Sequence, residues 1–241
     1  MKLKPPIDIH EAVVERHYAR APSGEVLGDA ALAALTAAVR LTRQNSESLA
    51  AYADTLAADR LLAPDAAQLR LRDNALKLAE TTARRLDEAK ARVQREVEEI
   101  NTLTSMPPAP RDALTAGLEA EIRARLAALA DKTREEVIGR AFEEKDLSII
   151  SAVLRGPAML TGMSQARHDM VRNRYRTTFH PEATERRRRL AAALEATERT
   201  GQSFINYIAT ATTGAAVELA EASARSQAAE QVIAAAIAKQ E

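Results

Sequence analysis

The chain has 241 residues, with 34 basic and 34 acidic residues and therefore a formal net charge of zero. This balance excludes a protein whose whole surface attracts nucleic acid, and the absence of cysteine excludes disulfides, thiolate metal sites and a cysteine nucleophile. Hydrophobic residues make up 46% of the chain but aromatic residues only 3%, and much of the hydrophobic fraction is alanine. Because alanine removes little surface from water, this composition favours long helices packed side by side over a thick globular core.

Residues 1–28 predict an extended N-terminal arm that contains a short helix. Pro5 and Pro6 favour extended backbone, Val13 and Val14 form the apolar centre of the short helix, and a Pro-Ser-Gly break follows. The N-terminus carries charges and no apolar run of signal-peptide length, so we expect synthesis in the cytoplasm without a secretion signal.

Residues 29–105 predict a long helical hairpin. Asp29 is a candidate N-cap, and an apolar stripe with helical spacing follows it. A second helix with a heptad pattern runs from about Asp65 to Thr104. Because only a short break around Pro64 separates the two helices, we expect them to fold back on each other as an antiparallel coiled-coil pair.

The proline-rich residues 106–111 predict a stiff linker between domains. Residues 112–241 then predict a helical bundle with a long C-terminal helix. In chain order we expect a helix from Asp112 to near Gly139 or Glu144, a short apolar helix capped by Asp146 or Ser148, a helix from Ser164 to about Phe179, and a last helix from Pro181 to the C-terminus. No alternation typical of strands is present, so the predicted fold class is all-α.

The densest apolar cluster of the sequence surrounds Gly156-Pro157. It comprises Ile149, Ile150, Val153, Leu154, Met159, Leu160 and Met163. Two interpretations stay open. The cluster is either a buried corner between two helices, which we favour, or an exposed anchor for a partner protein.

No pattern typical of an active site is present. None of the four histidines has the glutamate spacing of a di-metal or zinc-protease motif, and no glycine-rich phosphate loop or nucleophile motif occurs. Adjacent carboxylates such as Glu98-Glu99 lie among basic residues and are typical of solvated helix faces. We therefore expect no enzyme activity, no cofactor and no metal site.

One basic surface is a candidate for contact with phosphate groups or an acidic partner. Between Arg167 and Arg189, eight arginines accompany three acidic residues, which leaves a local excess of five positive charges. The candidate contact residues are Arg172, Arg174, Arg176, Arg186, Arg187, Arg188 and Arg189. Arginine suits bidentate phosphate contacts. However, Glu182 and Glu185 each precede an arginine by the four residues of a helical ion pair, which favours an ordinary solvated surface with weak nucleic-acid contact at most.

The eighteen residues from Thr200 to Val217 carry no charge, in a chain that is 28% charged. Their polar residues disfavour a membrane span, and the aromatic and branched residues near Phe204 disfavour a flexible linker. Small residues four positions apart instead allow another helix to approach closely. One chain has little material to cover such a helix, so we predict packing between copies of the chain. The candidate packing residues are Phe204, Ile208, Ala211, Gly214 and Ala215.

Long alanine-rich helices, proline punctuation and the lack of a site motif together resemble the helical structural proteins of tailed bacteriophage virions, such as scaffold, connector, internal-core and ejection proteins. The resemblance covers the chain as architecture. It implies a non-enzymatic assembly subunit that binds its own copies and other subunits and becomes part of the virion. Two alternatives stay open: a cytoplasmic coiled-coil adaptor whose basic surface contacts nucleic acid, and a membrane-active protein that inserts its C-terminal helix.

Overall fold

The computed structural model describes residues 3–238, and for Ala215, Ala236 and Ile237 it describes the backbone alone. The helices of this part of the chain are α1 (Ala12–Glu15), α2 (Ala30–Ala58), α3 (Pro64–Leu103), α4 (Ala113–Ala128), α5 (Asp131–Glu143), α6 (Leu147–Arg155), α7 (Gln165–Phe179), α8 (Pro181–Thr212) and α9 (Ala215–Ile237). Two short strands, β1 (Ala19–Arg20) and β2 (Val26–Leu27), and a 3₁₀ turn (Ala158–Thr161) also occur. The all-α fold class predicted from the sequence is confirmed.

The described residues form two compact units. The first unit takes the residues up to Gln94 and those from Ala192 onward, and the second unit takes Arg95–Ala191. The first unit is therefore discontinuous in sequence, and α3 and α8 each have residues in both units. These bounds differ from the predicted segmentation, in which the domains were separated at residues 106–111.

The proline-rich segment lies inside the second unit. Pro107 is buried there, and Arg155 of α6 donates a hydrogen bond to the carbonyl of Pro108. These two contacts hold part of the segment in this unit, while Met106, Pro108, Ala109 and Arg111 are exposed. Its role as a stiff linker stays a prediction.

The N-terminal residues pack into the first unit, and the short helix predicted around Val13 and Val14 corresponds to α1. Leu3 and Ile9 belong to its core, where 5% and 1% of their surface is exposed. Glu11, the residue directly before α1, accepts hydrogen bonds from Arg40 and Arg43 of α2 at 3.0–3.2 Å. Apolar burial and an ion pair therefore both hold this segment in place.

β1 and β2 form an antiparallel ladder in which Ala19 pairs with Leu27 and Arg20 with Val26. The sequence predicts no strand, because two-residue strands are too short to show an alternating pattern. The turn between them places Gly24 at φ +86°, a conformation that residues with a Cβ rarely adopt.

Several helices begin where the sequence places them. Asp29, Asp146 and Ser164 each accept hydrogen bonds from first-turn amides, of α2, α6 and α7 respectively. Pro64 and Pro181 are the first residues of α3 and α8. Proline suits this position because its missing amide hydrogen has no partner there in any helix.

Two side-chain hydrogen bonds show how α2 and α3 run. Asn45 donates to Thr82 (2.7 Å), and Asn74 donates to Tyr52 (3.1 Å). The residue number in α3 falls as the number in α2 rises, which is the order of an antiparallel pair. Coiled-coil packing of these two helices stays a prediction.

The helix predicted to run from Asp112 to Gly139 or Glu144 is divided into α4 and α5, so that prediction is wrong in its continuity. Leu129 and Ala130 between them are extended, with ψ of 150° and 148°. The division is explained by a residue that lies outside the break itself.

That residue is Arg134 of α5, of which 6% is exposed. Its guanidinium donates to the carbonyls of Leu126 (2.9 Å) and Leu129 (2.6 Å) at the end of α4, and to that of Gly162 (2.8 Å). The Leu126 carbonyl also accepts from the backbone amide of Leu129 (3.2 Å). Buried carbonyls require partners, so Arg134 makes the break between α4 and α5 stable and ties it to the 3₁₀ turn.

The predicted single helix from Pro181 to the C-terminus is also wrong, because α8 ends at Thr212 and α9 begins at Ala215. Gly214 has φ +69° and ψ −136°. This backbone conformation is reached without strain only by glycine. The predicted course of the helix beyond Ala238 falls outside the described residues.

Candidate interaction surfaces

One face of the uncharged stretch is buried within its own chain. Phe204, Tyr207, Ile208 and Ala211 are buried in the core of the first unit, with 3–6% of their surface exposed. The same core contains three residues of α2, namely Leu49, Ala50 and Ala53. Burial within the chain therefore explains the lack of charge on this face, whereas other residues of the stretch, among them Ile205 and Val217, are exposed.

The polar groups of this stretch are satisfied locally. Thr200, Thr212 and Thr213 each donate to the carbonyl four residues earlier in the helix. Tyr207 donates to the backbone carbonyl of Ser46 (2.9 Å), and burial raises the pKa of Tyr207 to about 12. Hydroxyls that bond their own helix are compatible with an apolar contact, which explains why so many threonines occur beside buried aromatic rings.

Close helix approach occurs at Gly201 instead of Gly214. A Cβ on Gly201 would lie 3.3 Å from Cδ2 of Leu86, whereas one on Gly214 would meet nothing within 4 Å. Of the five candidate packing residues, Phe204, Ile208 and Ala211 thus contact their own chain. The side chain of Ala215 lies outside the described residues, and packing of these positions between copies stays a prediction.

The candidate arginines mostly have partners within the second unit. Arg172 pairs with Asp169 (2.7 Å), Arg186 pairs with Glu96 of α3, and the guanidinium of Arg174 lies 4.6 Å from the ring centre of Phe142. These contacts reduce the field that the local excess of positive charge would otherwise produce.

Glu185 neutralises two further candidates. Arg188 donates two hydrogen bonds to its carboxylate (2.7 and 2.9 Å), and Arg189 lies 3.7 Å from it. The Glu185–Arg189 contact is the helical ion pair that the sequence spacing predicts. The hydrogen bonds from Arg188 are the main cause that lowers the pKa of Glu185.

Arg176 and Arg187 differ from the other five candidates. Like Arg174, neither pairs with an acidic side chain among residues 3–238, and in addition the Nε atom of each is buried without a hydrogen-bond partner. Arg176 makes one weak hydrogen bond, from Nη2 to the carbonyl of Asn101 (3.4 Å). Burial lowers the pKa of Arg176, and the positive charges of Arg187 and Arg172 lower it further.

The apolar cluster around Gly156 is divided between the interior and the surface. Ile150, Val153 and Leu154 are at most 2% exposed and form the core of the second unit, as the buried-corner interpretation expects. Met159 and Leu160 of the 3₁₀ turn are 79% and 50% exposed. The buried-corner interpretation therefore holds for Ile150, Val153 and Leu154, and a partner anchored by the exposed Met159 and Leu160 stays a prediction.

A groove between α5 and α7 was not anticipated from the sequence. It has a volume of about 560 Å³, and Ile138, Phe142 and Val171 contribute to its apolar lining. Arg167 and Glu135 form an ion pair across it (2.6 Å). The two helices that form its sides are separated by more than twenty residues in sequence, and no local pattern connects them.

The histidine and carboxylate side chains offer no assembled chemical site. His168 is buried, and its ring contacts the carbonyl of Val153 (3.0 Å) and Arg172 (3.3 Å). In the part of the chain that the structure describes, no three His, Asp or Glu side chains are grouped so that they could hold a metal ion. Nor is any described helix both long enough and apolar enough to cross a bilayer.

Comparison of the chain with protein-family models, with curated proteins and with solved structures found no match. The function is therefore inferred from the residues of this chain alone. They form an all-α protein in which most side chains of α9 are exposed.

Proposed function

We propose that the protein is a non-enzymatic structural subunit that assembles with copies of itself through α9. The observation that carries this proposal is the exposure of α9. This helix has 23 residues, and its apolar side chains Val217, Val232 and Ile233 are 40%, 70% and 61% exposed. An isolated helix is only marginally stable in water, and most helices are stabilised by burial of one face. A partner surface would supply that burial.

The sequence of α9 is suited to a second copy of the same helix. Leu219, Ala222, Ser226, Ala229 and Ile233 follow alternating steps of three and four residues and form one stripe along the helix. Four of the five are exposed, and Leu219 is half-buried. Three of them are small, so two such helices could approach closely along this seam.

Charges beside the seam favour a parallel pair. With Leu219 at the first position of a heptad, Arg225 precedes the seam at Ser226 and Glu230 follows the seam at Ala229. In a parallel two-stranded coiled coil these flanking positions of the two chains face each other. Arg225 of one copy would then lie opposite Glu230 of the other, twice in each pair of helices.

The more specific setting, a virion component of a tailed bacteriophage that also binds other subunits, is proposed on the resemblance of architecture alone. It requires no residue beyond those of the assembly proposal. The copy number and symmetry of the assembly depend on contacts other than those between the two α9 helices.

The experiment that tests the assembly proposal compares Ala229→Asp with Ala228→Asp by light-scattering mass. Both alanines are exposed and adjacent in α9, so the same charge is added to the same helix with the same loss of helix propensity. Only Ala229 lies on the seam. We expect the wild-type protein and Ala228→Asp to assemble, and Ala229→Asp to lose at least about 2 kcal/mol of association free energy, roughly thirty-fold in affinity.

A charge exchange tests the parallel arrangement. Arg225→Glu places like charges together and should weaken assembly, and adding Glu230→Arg to it should restore assembly. A wild-type protein that stays monomeric at all concentrations and salt conditions would contradict the proposal. Equal effects of the two alanine variants would show that the seam is not the interface. Dye release from liposomes by the wild-type protein would support the membrane-active alternative instead.

A further inference from the structure

Two contacts between α5 and α7 bound the groove that lies between these helices. At one end Arg167 pairs with Glu135 (2.6 Å). At the other end the guanidinium of Arg174 lies 4.6 Å from the ring centre of Phe142. Each residue of the second contact lies two turns, roughly 10 Å, further along its helix than the corresponding residue of the first. The two helices therefore run in the same direction, and the groove is elongated along them.

The groove offers free space beside an apolar surface. Of its lining residues, Ile138 and Phe142 are buried, whereas Met170 is 62% exposed. Gly139 lines the groove from α5, and a Cβ placed on it would meet nothing within 4 Å. The volume of about 560 Å³ falls in the range of roughly 300–1,000 Å³ that small-molecule sites have.

The charged side chains along the groove leave one positive charge without a carboxylate. Arg134 pairs with Asp131 (2.7 Å), just as Arg167 pairs with Glu135. Arg174 has no carboxylate partner among residues 3–238, and it is exposed, so that a ligand can reach its N–H groups. The groove is therefore complementary in charge to a ligand with a single negative group.

The contact with Phe142 is compatible with hydrogen bonds from Arg174 to such a ligand. Arginine contacts aromatic rings with its planar face, while its N–H donors point outward in the plane of the guanidinium. That edge matches the two oxygens of a carboxylate. Contact with the ring also restricts the side chain, which lowers the entropic cost of binding.

We propose that the groove between α5 and α7 binds a small amphiphile with an apolar body and a single carboxylate, such as a medium-chain fatty acid. The apolar body lies against Ile138, Gly139 and Met170, and the carboxylate accepts hydrogen bonds from Arg174. Methionine suits this contact because its flexible side chain adapts to the shape of an apolar ligand. All lining residues belong to the second unit, so the site is independent of the α9 seam.

The first experiment tests the carboxylate contact by calorimetric titration of the full chain with decanoate at pH 7, below the concentration at which decanoate forms micelles. The wild type should bind a single decanoate per chain. Arg174→Gln should weaken binding by about ten-fold, the effect of losing hydrogen bonds to a charged group. Arg140→Gln is the matched control, because Arg140 is exposed on α5 outside the groove, and it should bind decanoate like the wild type. Decanol, which has the same chain without the charge, should bind the wild type and Arg174→Gln equally.

The second experiment fills the apolar part of the groove with Gly139→Leu. Because the space around Gly139 is open, the leucine should fit without strain, and it favours the helix more than glycine does. This variant should therefore unfold at a temperature no lower than the wild type, yet bind neither decanoate nor decanol. Gly117→Leu is the matched control, since it adds the same side chain to an open glycine in α4 outside the groove, and it should bind both like the wild type.

Several results would overturn the proposal. The first is a wild-type protein that shows no saturable binding of decanoate. The second is equal affinity of Arg174→Gln and Arg140→Gln for decanoate, and the third is a folded Gly139→Leu that binds decanoate like the wild type. A lower light-scattering mass of Gly139→Leu without any decanoate would also overturn it, because a second copy of the chain would then occupy the groove.

Discussion

Glu11 provides a quantitative test of how the N-terminal segment is held in the first unit. Its side chain is 8% exposed and accepts from Nε of Arg40 (3.2 Å) and from Nε and Nη2 of Arg43 (3.1 and 3.0 Å). Hydrogen bonds from Arg43 are the largest cause that lowers the pKa of Glu11, from 4.5 to about 2. We predict that Glu11→Gln destabilises the protein, because a neutral amide cannot form the same charge-assisted bonds.

The size of the effect follows from the pKa change. A lowering from 4.5 to about 2 corresponds to roughly 3 kcal/mol of unfolding free energy, at about 1.4 kcal/mol for each pKa unit. Solvent reaches the partners, since Arg40 is 53% and Arg43 31% exposed. Screening by water therefore reduces our expectation to about 1–2 kcal/mol at pH 7.

The pH dependence has a defined sign. Because the folded pKa lies below the unfolded one, the ion pair contributes fully above pH 4.5, and its contribution is lost as the pH falls from 4.5 towards 2. Urea unfolding of wild type and Glu11→Gln between pH 7 and pH 2.5 measures this. The difference in unfolding free energy between the two proteins should become smaller as the pH falls through that range.

The matched control for this prediction is Glu47→Gln. Glu47 also contacts Arg43 (2.8 Å), but it is 53% exposed, so we expect a change within about 0.5 kcal/mol. Two results would refute the assignment of the effect to a buried ionised carboxylate. One is a loss of unfolding free energy in Glu11→Gln that is the same at every pH. The other is an equally large loss of unfolding free energy in Glu47→Gln.

Three further predictions concern buried contacts within each unit. Arg134→Gln removes the guanidinium that donates to the carbonyls of Leu126, Leu129 and Gly162, and it should lower the unfolding free energy by about 3 kcal/mol in urea titrations. Ala211→Leu should lower it by about 1–3 kcal/mol through overpacking of the first unit's core, in which Ala211 is 4% exposed. Tyr207→Phe should cost about 1 kcal/mol at pH 7. It should also remove the loss of stability that wild type shows as the pH rises from 10 towards 12, because the folded pKa of Tyr207 is raised to about 12.

Controls for these variants come from exposed positions. Arg125→Gln removes an arginine that is 79% exposed, and Ala224→Leu adds the same bulk to an exposed site of α9. Both should stay within about 0.5 kcal/mol of wild type. If Arg134→Gln were as stable as Arg125→Gln, water would have replaced the guanidinium as the hydrogen-bond donor to the carbonyls. A wild-type protein as stable at pH 11.5 as at pH 9.5 would contradict the burial of the Tyr207 hydroxyl.

Helix starts were predictable because their causes are local. Asp29 and Ser164 cap amides two or three residues away, and Pro64 and Pro181 act through their own backbone. The Glu185–Arg189 contact was predictable for the same reason, since helical spacing alone brings the two side chains together.

Features with distant causes were not predictable. The break after α4 depends on Arg134, which bonds Gly162 at a separation of 28 residues. Nothing in the residues at the break, Leu129 and Ala130, resembles a helix terminator. Likewise, Glu96 and Arg186 are 90 residues apart. The sequence therefore showed that the basic surface contains many arginines, but it could not show which of them have a carboxylate partner.

The discontinuity of the first unit has a consequence for synthesis on the ribosome. Tyr207 and its acceptor at Ser46 are 161 residues apart, and Ser203 and its partner Asp8 are 195 apart. Long-range contacts within the second unit, such as His168 with Val153, span as few as 15 residues.

Because the chain emerges from its N-terminus, every residue of the second unit, Arg95–Ala191, is available before α8 can cover Leu49 and Ala53. Loop closure over shorter separations also costs less entropy. The second unit should therefore fold first. The apolar face of α2 should stay exposed to solvent until α8 has been synthesised. During that interval the nascent chain exposes core residues of the first unit. A chaperone or another copy of the chain would bind to it at this stage.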